Sequence, residues 1–360
     1  MWNRFLRLLG IASDPIVGID IGSSAVKLLQ LQKKGNQYYV ELYATEPLPP
    51  GAVIEKTIKD PEVVVKALKN LVEKAQLKQV VACISVPNSE TITRIIQMDD
   101  ALSEKEIRTE IDLEADRYIP YSLDEVNLDF AILGKSIKGE DLVDVLLTVS
   151  KTENVDSRVS LLSQVNVRTK IVDIDSLAME RAFFLISKQL PEQGNNMVVA
   201  VVDIGATITT LNIFYNNVSI YTREQSFGGQ HLIDELQARY GLSYEEAILA
   251  RKRDNLPDDY ITEILQPFKE AVVKQVSRSC QFFFSAGGHN EIHHLFLTGG
   301  TSNIPGLDQL IFAEIGIKTT IANPFIDMLF SKQLNEEVLM EDAPALMTCC
   351  GLALRNCKDK

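Results

Sequence analysis

The chain has 360 residues, a hydrophobic share of 46%, a charged share of 24% and a formal net charge of -13. This length exceeds what one simple core normally supports, so about two domains are expected. The acidic balance argues against a nucleic-acid partner, because neutralising phosphates requires a basic face. Five cysteines without a CxxC pair give no sign of a zinc site and favour a reducing, cytosolic compartment. No apolar stretch approaches the roughly 18 residues that span a bilayer.

The first residues, MWNRFLRLLG, form a pattern of their own. As a helix, this segment would place Trp2, Phe5 and Leu9 on one face, which is the layout of a short interfacial anchor. It has neither the apolar core nor the cleavage site of a signal peptide. Residues 1–15 are therefore expected to be an N-terminal leader, either frayed or packed against a partner, or in contact with a membrane surface.

The next segments alternate between strands and helices. Residues 17–31 predict two strands joined by an Asp-Ile-Gly turn, and YYVELYATEPL predicts a third strand. A helix then starts at Pro61 with Asp60 as its N-cap, and the apolar run VVACISVP returns as a buried strand. This alternation predicts an α/β fold.

After this strand the pattern changes in a way that predicts a separate insert. TITRIIQM predicts a strand, and a helix follows that is opened by a capping box of Ser103 and Glu106 and stopped at Pro120. Two further strands and another helix complete the segment. Residues 87–166 are therefore expected to form a small α/β unit of their own.

The chain then repeats its opening hairpin at residues 197–214. The two copies match at three positions: Asp20 with Asp203, Gly22 with Gly205, and Ser24 with Thr207. A single turn of this kind is more often a plain hairpin, since Asp and Gly are ordinary turn residues. Two matched copies indicate two related halves.

Such a hairpin suits phosphate chemistry. A glycine turn lets backbone amides approach an anion, and a carboxylate at the strand end can hold Mg²⁺ or its waters. A third element, LFLTGGTSNIPGL, ends a strand in Gly299 and Gly300 and starts a helix near Pro305, which also favours anions. Neither a P-loop nor a GxGxxG motif occurs. Together the elements predict a polyphosphate clamped between two halves.

The order of these segments resembles a known superfamily. In the actin-like ATPases the first phosphate motif resembles DIGSSAVK, the first connecting motif IVDIDSLAMERAF, and the second phosphate motif DIGATIT. The adenosine motif resembles LTGGTSNIPGL, and the second connecting motif resembles CCGLALR. The insert after SVP resembles subdomain 1C of the division protein FtsA. More closely, VGIDIGSSAVKLLQL, ISVPNSETITRIIQM and LEADRYIPYSLDEVNLDF resemble the PilM family of type IV pilus assembly proteins, over residues 17–355.

The resemblance implies an actin-like (ribonuclease H-like) two-domain α/β fold with an FtsA-type 1C subdomain. The implied division is a leader at 1–15, subdomain 1A at 16–86, 167–195 and 340–360, subdomain 1C at 87–166, subdomain 2A at 196–225 and 292–339, and subdomain 2B at 226–291.

The resemblance also implies a site for ATP or ADP with Mg²⁺. The implied phosphate loops are Asp20, Gly22, Ser23, Ser24 and Lys27 on one side, and Asp203, Gly205, Ala206, Thr207 and Thr209 on the other. Gly299, Gly300 and Thr301 would flank the adenosine, and Asp20 and Asp203 would bind Mg²⁺ through water. Asp175 would position the metal or an attacking water, although an Asp there equally suits a helix N-cap.

The function implied is a cytoplasmic adaptor at the inner face of the inner membrane. It would bind the N-terminal tail of PilN in a groove between 1A and 1C and link it to pilus motor components, with no nucleic-acid partner. Membrane association would come through these partners, and ATP hydrolysis would be slow at most.

Two points stay open at this stage. Relatives tend to carry an acidic residue and a lysine where this chain has Ile248 and Arg251, so the ribose contacts are not assigned. An actin-like phosphotransferase of the sugar-kinase type and a filament-forming cytoskeletal ATPase share the nucleotide motifs, and both remain alternatives to the adaptor.

Overall fold

The computed structural model describes residues 16–77, 80–252 and 256–357, so the predicted leader lies outside the described residues. The strands are β1 (Ile16–Ile21), β2 (Ala25–Lys34), β3 (Gln37–Pro47), β4 (Val53–Ile54), β5 (Thr57–Ile58), β6 (Val80–Val86), β7 (Thr91–Asp99), β8 (Val126–Lys135), β9 (Leu142–Lys151), β10 (Val167–Ile174), β11 (Val198–Ile204), β12 (Thr209–Tyr215), β13 (Val218–Gln225), β14 (His294–Thr298), β15 (Thr319–Ile321) and β16 (Leu329–Phe330). The α-helices are α1 (Pro61–Ala75), α2 (Glu104–Leu113), α3 (Ala115–Tyr118), α4 (Thr152–Gln164), α5 (Asp175–Ser187), α6 (Gln230–Tyr240), α7 (Tyr244–Lys252), α8 (Gln266–Ala286), α9 (Leu307–Ile315), α10 (Glu336–Asp342) and α11 (Met347–Ala353). Short 3-10 segments lie at Asn88–Glu90, Leu123–Glu125, Pro191–Gly194, Ala343–Leu346 and Leu354–Asn356, and a π-helical turn at Ile261–Leu265 precedes α8. Among these helices, none is both long and apolar enough to cross a bilayer.

Two mixed sheets repeat one arrangement of strands. The first sheet has the order β10-β6-β1-β2-β3-β16, and the second has the order β13-β12-β11-β14-β15. In each sheet three consecutive strands pair antiparallel, and a later strand, β6 or β14, adds in parallel to the first of the three. The predicted repeat of one hairpin design in two halves is therefore confirmed.

Helices α5 and α11 lie between the two sheets and join the halves through one core. In that core Phe183 of α5 stacks on Phe214 of β12 with ring centroids 4.0 Å apart, and Leu29 of the first sheet and Cys350 of α11 pack with them. Helices α1 and α4 cover the outer face of the first sheet, and α6, α8 and α9 cover the outer face of the second. The two hairpins are thus supported on both faces.

Local sequence signals explain where the helices begin. Asp60 accepts a hydrogen bond from the Val63 amide at the start of α1, and Ser103 forms the predicted capping box with Glu106 at the start of α2. The helix predicted to run on to Pro120 is instead two helices, because the backbone at Glu114 leaves the α region with φ -106° and ψ 15°.

The segment after β6 forms a three-stranded antiparallel sheet in the order β7-β9-β8. Helix α2 covers one face of it, with Ile107 and Ile111 packed against Val145 and Leu147. Helix α4, which follows β9, instead packs against the first sheet. The end of the insert at residue 166 and the other domain boundaries stay predictions.

Candidate functional site

The two hairpin turns have the same backbone geometry. The Gly22 amide donates to the Ala25 carbonyl at 3.1 Å, and the Gly205 amide donates to the Ile208 carbonyl at 2.9 Å. A Cβ at Gly205 would lie 2.9 Å from that carbonyl oxygen, which is closer than real Cβ contacts come. The glycine at this turn is therefore required by the close approach of the chain to itself.

The turns face each other across a cleft. The hydroxyl of Thr207 in the second turn donates to Ser23 Oγ in the first at 2.9 Å. The Glu55 amide, at the tip of the β4–β5 hairpin, donates to Thr207 Oγ1 at 3.3 Å. Three separate chain segments therefore meet at one point in the cleft.

A cavity of about 830 Å³ opens between the hairpins, a size that suits a small-molecule cofactor. The predicted site residues that line it are Asp20, Gly22, Ser23, Ser24, Lys27, Asp175, Asp203, Gly205, Ala206, Thr207, Gly299, Gly300 and Thr301. Thr209 is the exception, because it is buried in β12 and its hydroxyl donates to the Phe227 carbonyl at 2.8 Å. The structure brings the other residues of the predicted site together.

Lys27 and two aspartates form the charged base of the cavity. Lys27 lies opposite Asp20 in the β1–β2 register, and its Nζ is 3.1 Å from Asp20 Oδ2. Burial lowers the pKa of Lys27, but the carboxylates of Asp20 and Asp203 outweigh that effect and raise it overall. Burial also raises the pKa of Asp203, and the positive charges of Lys56 and Lys27 oppose the rise. The cation therefore stays charged beside both aspartates.

Asp175 points into the cleft and does not cap its helix. Its carboxylate accepts hydrogen bonds from Ser85 Oγ at 2.6 Å and from Lys56 Nζ at 2.7 Å. The first turn of α5 is served by Asn88 instead, whose side-chain oxygen accepts the Ser176 amide at 3.0 Å. The N-cap alternative for Asp175 is therefore wrong.

A glycine pair that the sequence analysis missed, Gly228 and Gly229, packs against the turn of the second hairpin. The Gly229 amide donates to the Gly205 carbonyl at 2.9 Å, and a Cβ at Gly228 would lie 2.5 Å from that same oxygen. Thr301 Oγ1 also donates to it, at 3.1 Å. The signal was present in the sequence as SFGGQ directly before an amphipathic helix, but it was not connected to the turn.

The third predicted element borders the same cavity. Gly299 has φ +88°, and a Cβ there would lie 2.4 Å from the Ile204 carbonyl and 2.5 Å from Asp203 Oδ1. A Cβ at Gly300 would meet no atom within 4 Å. Gly299 thus allows β14 to end against the second hairpin, and Gly300 leaves open space beside it.

Helix α7 forms another part of the cavity wall. Glu245, Ile248 and Arg251 all line the cavity. Glu245 therefore brings an acidic group to the cavity one helical turn before Ile248. Because residues three apart share a helix face, Glu245 and Ile248 present their side chains to the same side.

The donor set suits a magnesium polyphosphate. Within the described parts of the chain, no cluster of three or more His, Cys, Asp or Glu residues could hold a metal ion alone. Mg²⁺ normally takes one or two carboxylates and completes its shell with water and phosphate oxygens. Asp20 and Asp203, which flank Lys27 in a cleft between two glycine turns, match that requirement.

Three solved structures resemble this fold over nearly its whole length. A PilM–PilN type IV pilus biogenesis complex gives a TM-score of 0.78 at 24% identity, covering 97% of this chain and 100% of that chain. The ethanolamine utilization protein EutJ from Carboxydothermus hydrogenoformans gives a TM-score of 0.55 at 15% identity, covering 95% of this chain and 90% of that chain. MreB 5 of Spiroplasma citri, bound to AMPPNP, gives a TM-score of 0.50 at 12% identity, covering 94% of this chain and 95% of that chain. The predicted actin-like α/β fold class is confirmed.

Sequence comparison assigns the family. The family model of type IV pilus assembly protein PilM matches residues 18–357, which include both hairpins, the insert and the C-terminal helix α11. This chain therefore belongs to the PilM family of type IV pilus assembly proteins.

Proposed function

We propose that this protein is a nucleotide-binding adaptor of type IV pilus assembly, which holds the cytoplasmic N-terminal tail of PilN and links it to the motor side of the machine. Family membership supports the process. The observation that carries the nucleotide part is the facing pair of hairpins, whose Ser23 and Thr207 hydroxyls lie 2.9 Å apart at the wall of the cavity.

In this proposal the two hairpins bind the phosphates of ATP or ADP. Lys27 donates to phosphate oxygens, and Ser23 and Thr207 turn their hydroxyls from each other toward the ligand. Asp20 and Asp203 hold the waters of Mg²⁺, which supplies the positive charge that balances the polyphosphate. Asp175 stays hydrogen-bonded to Ser85 and keeps a negative charge at the end of the cleft.

The wall formed by α7 and the turn at Gly300 would receive the nucleoside. Gly300 leaves space for a flat base, and Glu245 accepts from a ribose hydroxyl in place of the acidic residue expected at Ile248. Arg251 lies on the same helix and would contact the ribose or the first phosphate.

The partner part of the proposal follows from the relative that was solved as a PilM–PilN complex. Two segments of the predicted 1C insert carry large apolar side chains that face solvent, and we assign them to the groove: Ile95 of β7 is 56% exposed and Leu113 at the end of α2 is 81% exposed. Tyr121, which follows α3, is 36% exposed. An extended apolar tail can bury such side chains in a peptide-in-groove mode. Attachment to PilN would bring the protein to the inner face of the inner membrane.

The test is a calorimetric titration with a synthetic peptide of the cytoplasmic N-terminus of the PilN protein from the same organism, with and without Mg-ATP. We expect the peptide to bind and a scrambled peptide of the same composition to give no heat. The Asp20→Ala/Asp203→Ala variant should lose nucleotide binding and keep peptide binding, because Ile95, Leu113 and Tyr121 do not line the phosphate cavity.

Absence of peptide binding under both conditions would remove the adaptor function. The two alternatives would then be separated by their own assays. A phosphotransferase consumes ATP only when a second substrate such as a sugar is present. A filament-forming protein sediments in a nucleotide-dependent manner.

A further inference from the structure

Lys56 occupies an unusual position at the tip of a two-residue turn. Strands β4 and β5 pair Ile54 with Thr57, which leaves Glu55 and Lys56 as the central residues of the turn. Both have positive φ, 47° and 63°, a conformation that normally selects Asn-Gly. Non-glycine residues hold such a backbone only where surrounding contacts fix it, and these positions concentrate at functional sites.

Contacts from four other parts of the fold fix the tip. The Lys56 carbonyl accepts a hydrogen bond from Arg158 Nη2 of α4 at 2.9 Å, and Arg158 is only 5% exposed. The neighbouring Glu55 amide donates to Thr207 in the second hairpin turn. The side chain of Lys56 reaches Asp175 at 2.7 Å and, more weakly, Glu224 of β13 at 3.7 Å. The tip therefore spans the cleft, with its backbone held on one side and its ammonium in the cavity.

The ammonium of Lys56 is a second, partly buried positive charge in the phosphate part of the cavity. Burial lowers the pKa of Lys56, but Asp175, Glu224 and Asp203 together raise it, so the side chain is charged at neutral pH. Lys27 pairs with Asp20 of the first hairpin, whereas Lys56 pairs with Asp175, and the amide of its neighbour Glu55 contacts the second hairpin turn. Lys56 itself contacts Arg158 of α4, Asp175 of α5 and Glu224 of β13.

We propose that Lys56 binds the terminal phosphate of a nucleoside triphosphate and gives the site its preference for the triphosphate over the diphosphate. This inference rests on the proposed nucleotide binding. A polyphosphate that starts at the nucleoside wall near Gly300 passes between the two hairpins and ends beside Asp175 and Lys56. Lys27 contacts the phosphates that ATP and ADP share, and Lys56 contacts the one that only ATP has.

The geometry provides a way for Lys56 to change partners. Its contact with Glu224 is the longer of its two ion pairs, and Glu224 has another donor, Asn88 Nδ2, at 3.1 Å. Lys56 can therefore exchange Glu224 for a phosphate oxygen while it keeps Asp175, and Glu224 is not left without a hydrogen bond. Asp175 prevents the ammonium from leaving the cleft when no terminal phosphate is bound.

The test compares the affinities of the full chain for Mg-AMPPNP and Mg-ADP by calorimetry. Lys56→Met should weaken the affinity for Mg-AMPPNP about 10- to 100-fold, which is the range for one charged hydrogen-bonded contact. The affinity for Mg-ADP should change less than about threefold. Lys27→Met should weaken both ligands. Lys59 is an exposed lysine just beyond the same hairpin, and Lys59→Met should leave the affinity for both ligands unchanged.

A variant with balanced charge guards against misfolding. Lys56→Met/Glu224→Gln removes one charge of each sign. It should show the same selective loss of affinity for Mg-AMPPNP, with an unchanged melting temperature. If the Lys56 variants lost affinity for both ligands equally, or lost none, the role of Lys56 would be overturned and the nucleotide site would remain. A wild-type protein that binds neither ligand would overturn the nucleotide site itself and this inference with it.

Discussion

Thr207 and Ser23, 184 residues apart in the chain, share a hydrogen bond of 2.9 Å between their hydroxyls. This bond joins the turns of the two repeated hairpins across the cleft. Because both hydroxyls line the cavity, each can exchange its partner for a phosphate oxygen. The bond thus marks the place where the two halves of the fold meet in the cleft, and where the proposed nucleotide phosphates would bind.

Thr207→Val is expected to weaken Mg-ATP binding about tenfold, which corresponds to one hydrogen bond of about 1.4 kcal/mol. Thr209→Val is the matched control, because its hydroxyl is buried on the Phe227 carbonyl and does not line the cavity. It should lower the free energy of unfolding by about 1 to 2 kcal/mol and leave the affinity unchanged. Calorimetry and urea unfolding check both effects. Equal affinity losses in the two variants would place Thr209 at the site, as the sequence predicted.

Arg158 is a buried cation that links the start of the insert to the β4–β5 hairpin. Its Nη1 is 2.8 Å from Glu90, the residue just before β7, and its Nη2 donates to the Lys56 carbonyl. Arg158→Met leaves the partly buried carboxylate of Glu90 and a carbonyl without their donor, so the free energy of unfolding should fall by about 3 kcal/mol. Urea denaturation measures the loss.

Two further variants make the Arg158 result specific. Arg158→Met/Glu90→Gln should lose less stability than Arg158→Met alone, because no buried charge is left unpaired. Arg108→Met breaks the exposed pair with Asp112 and should stay within about 0.5 kcal/mol of the parent. A loss below about 1 kcal/mol for Arg158→Met would show that water replaces the guanidinium.

Gly351 permits the closest approach between the two helices that join the halves. A Cβ at this position would lie 1.8 Å from the Ala178 carbonyl oxygen of α5. Gly351→Ala should therefore push α5 and α11 apart and lower the free energy of unfolding by about 3 kcal/mol or more. Gly35→Ala, in a turn with φ +62° and no atom within 4 Å, should cost only about 1 kcal/mol, from backbone conformation alone. Similar losses in the two variants would contradict the tight packing.

The hairpins and the helix starts could be predicted because their signals are local. Gly22 and Gly205 end strands with regular apolar patterns, and Ser103 with Glu106 is a capping box within one turn of helix. Two matched copies of one hairpin also gave the two halves. Each hairpin turn and the capping box depend on residues a few positions apart, and the sequence shows such neighbours directly.

The parts of the site that were missed depend on distant contacts. Lys56 lies in a segment without a motif and reaches Asp175, 119 residues away. Thr209 was placed at the site because it follows the turn, but its side chain faces Phe227 on the other side of β12. The role of Asp175 could not be decided locally, since Asn88 supplies the cap from another part of the chain.

His294 provides a pH-dependent contribution to stability. It is 5% exposed at the start of β14, and burial together with the charge of Lys318 lowers its pKa to about 4. Its Nε2 lies 2.9 Å from Thr320 Oγ1. Because the folded-state pKa is below the unfolded value of about 6.5, the unfolded chain binds more protons between these two values. The stabilisation by neutral His294 is therefore complete above pH 6.5 and is lost as the pH falls toward 4.

Urea unfolding at pH 7.5 and at pH 5 measures this loss. The shift in pKa corresponds to about 2 kcal/mol of free energy between these conditions, in addition to whatever the carboxylates contribute. His294→Gln keeps a hydrogen-bonding group toward Thr320 and removes the titration, so the fall in stability between the two pH values should be smaller by that amount. His293→Gln is the control, since His293 is one-third exposed and pairs with the exposed Glu291. An equal pH dependence in the parent and in His294→Gln would mean that His294 is protonated inside the folded protein.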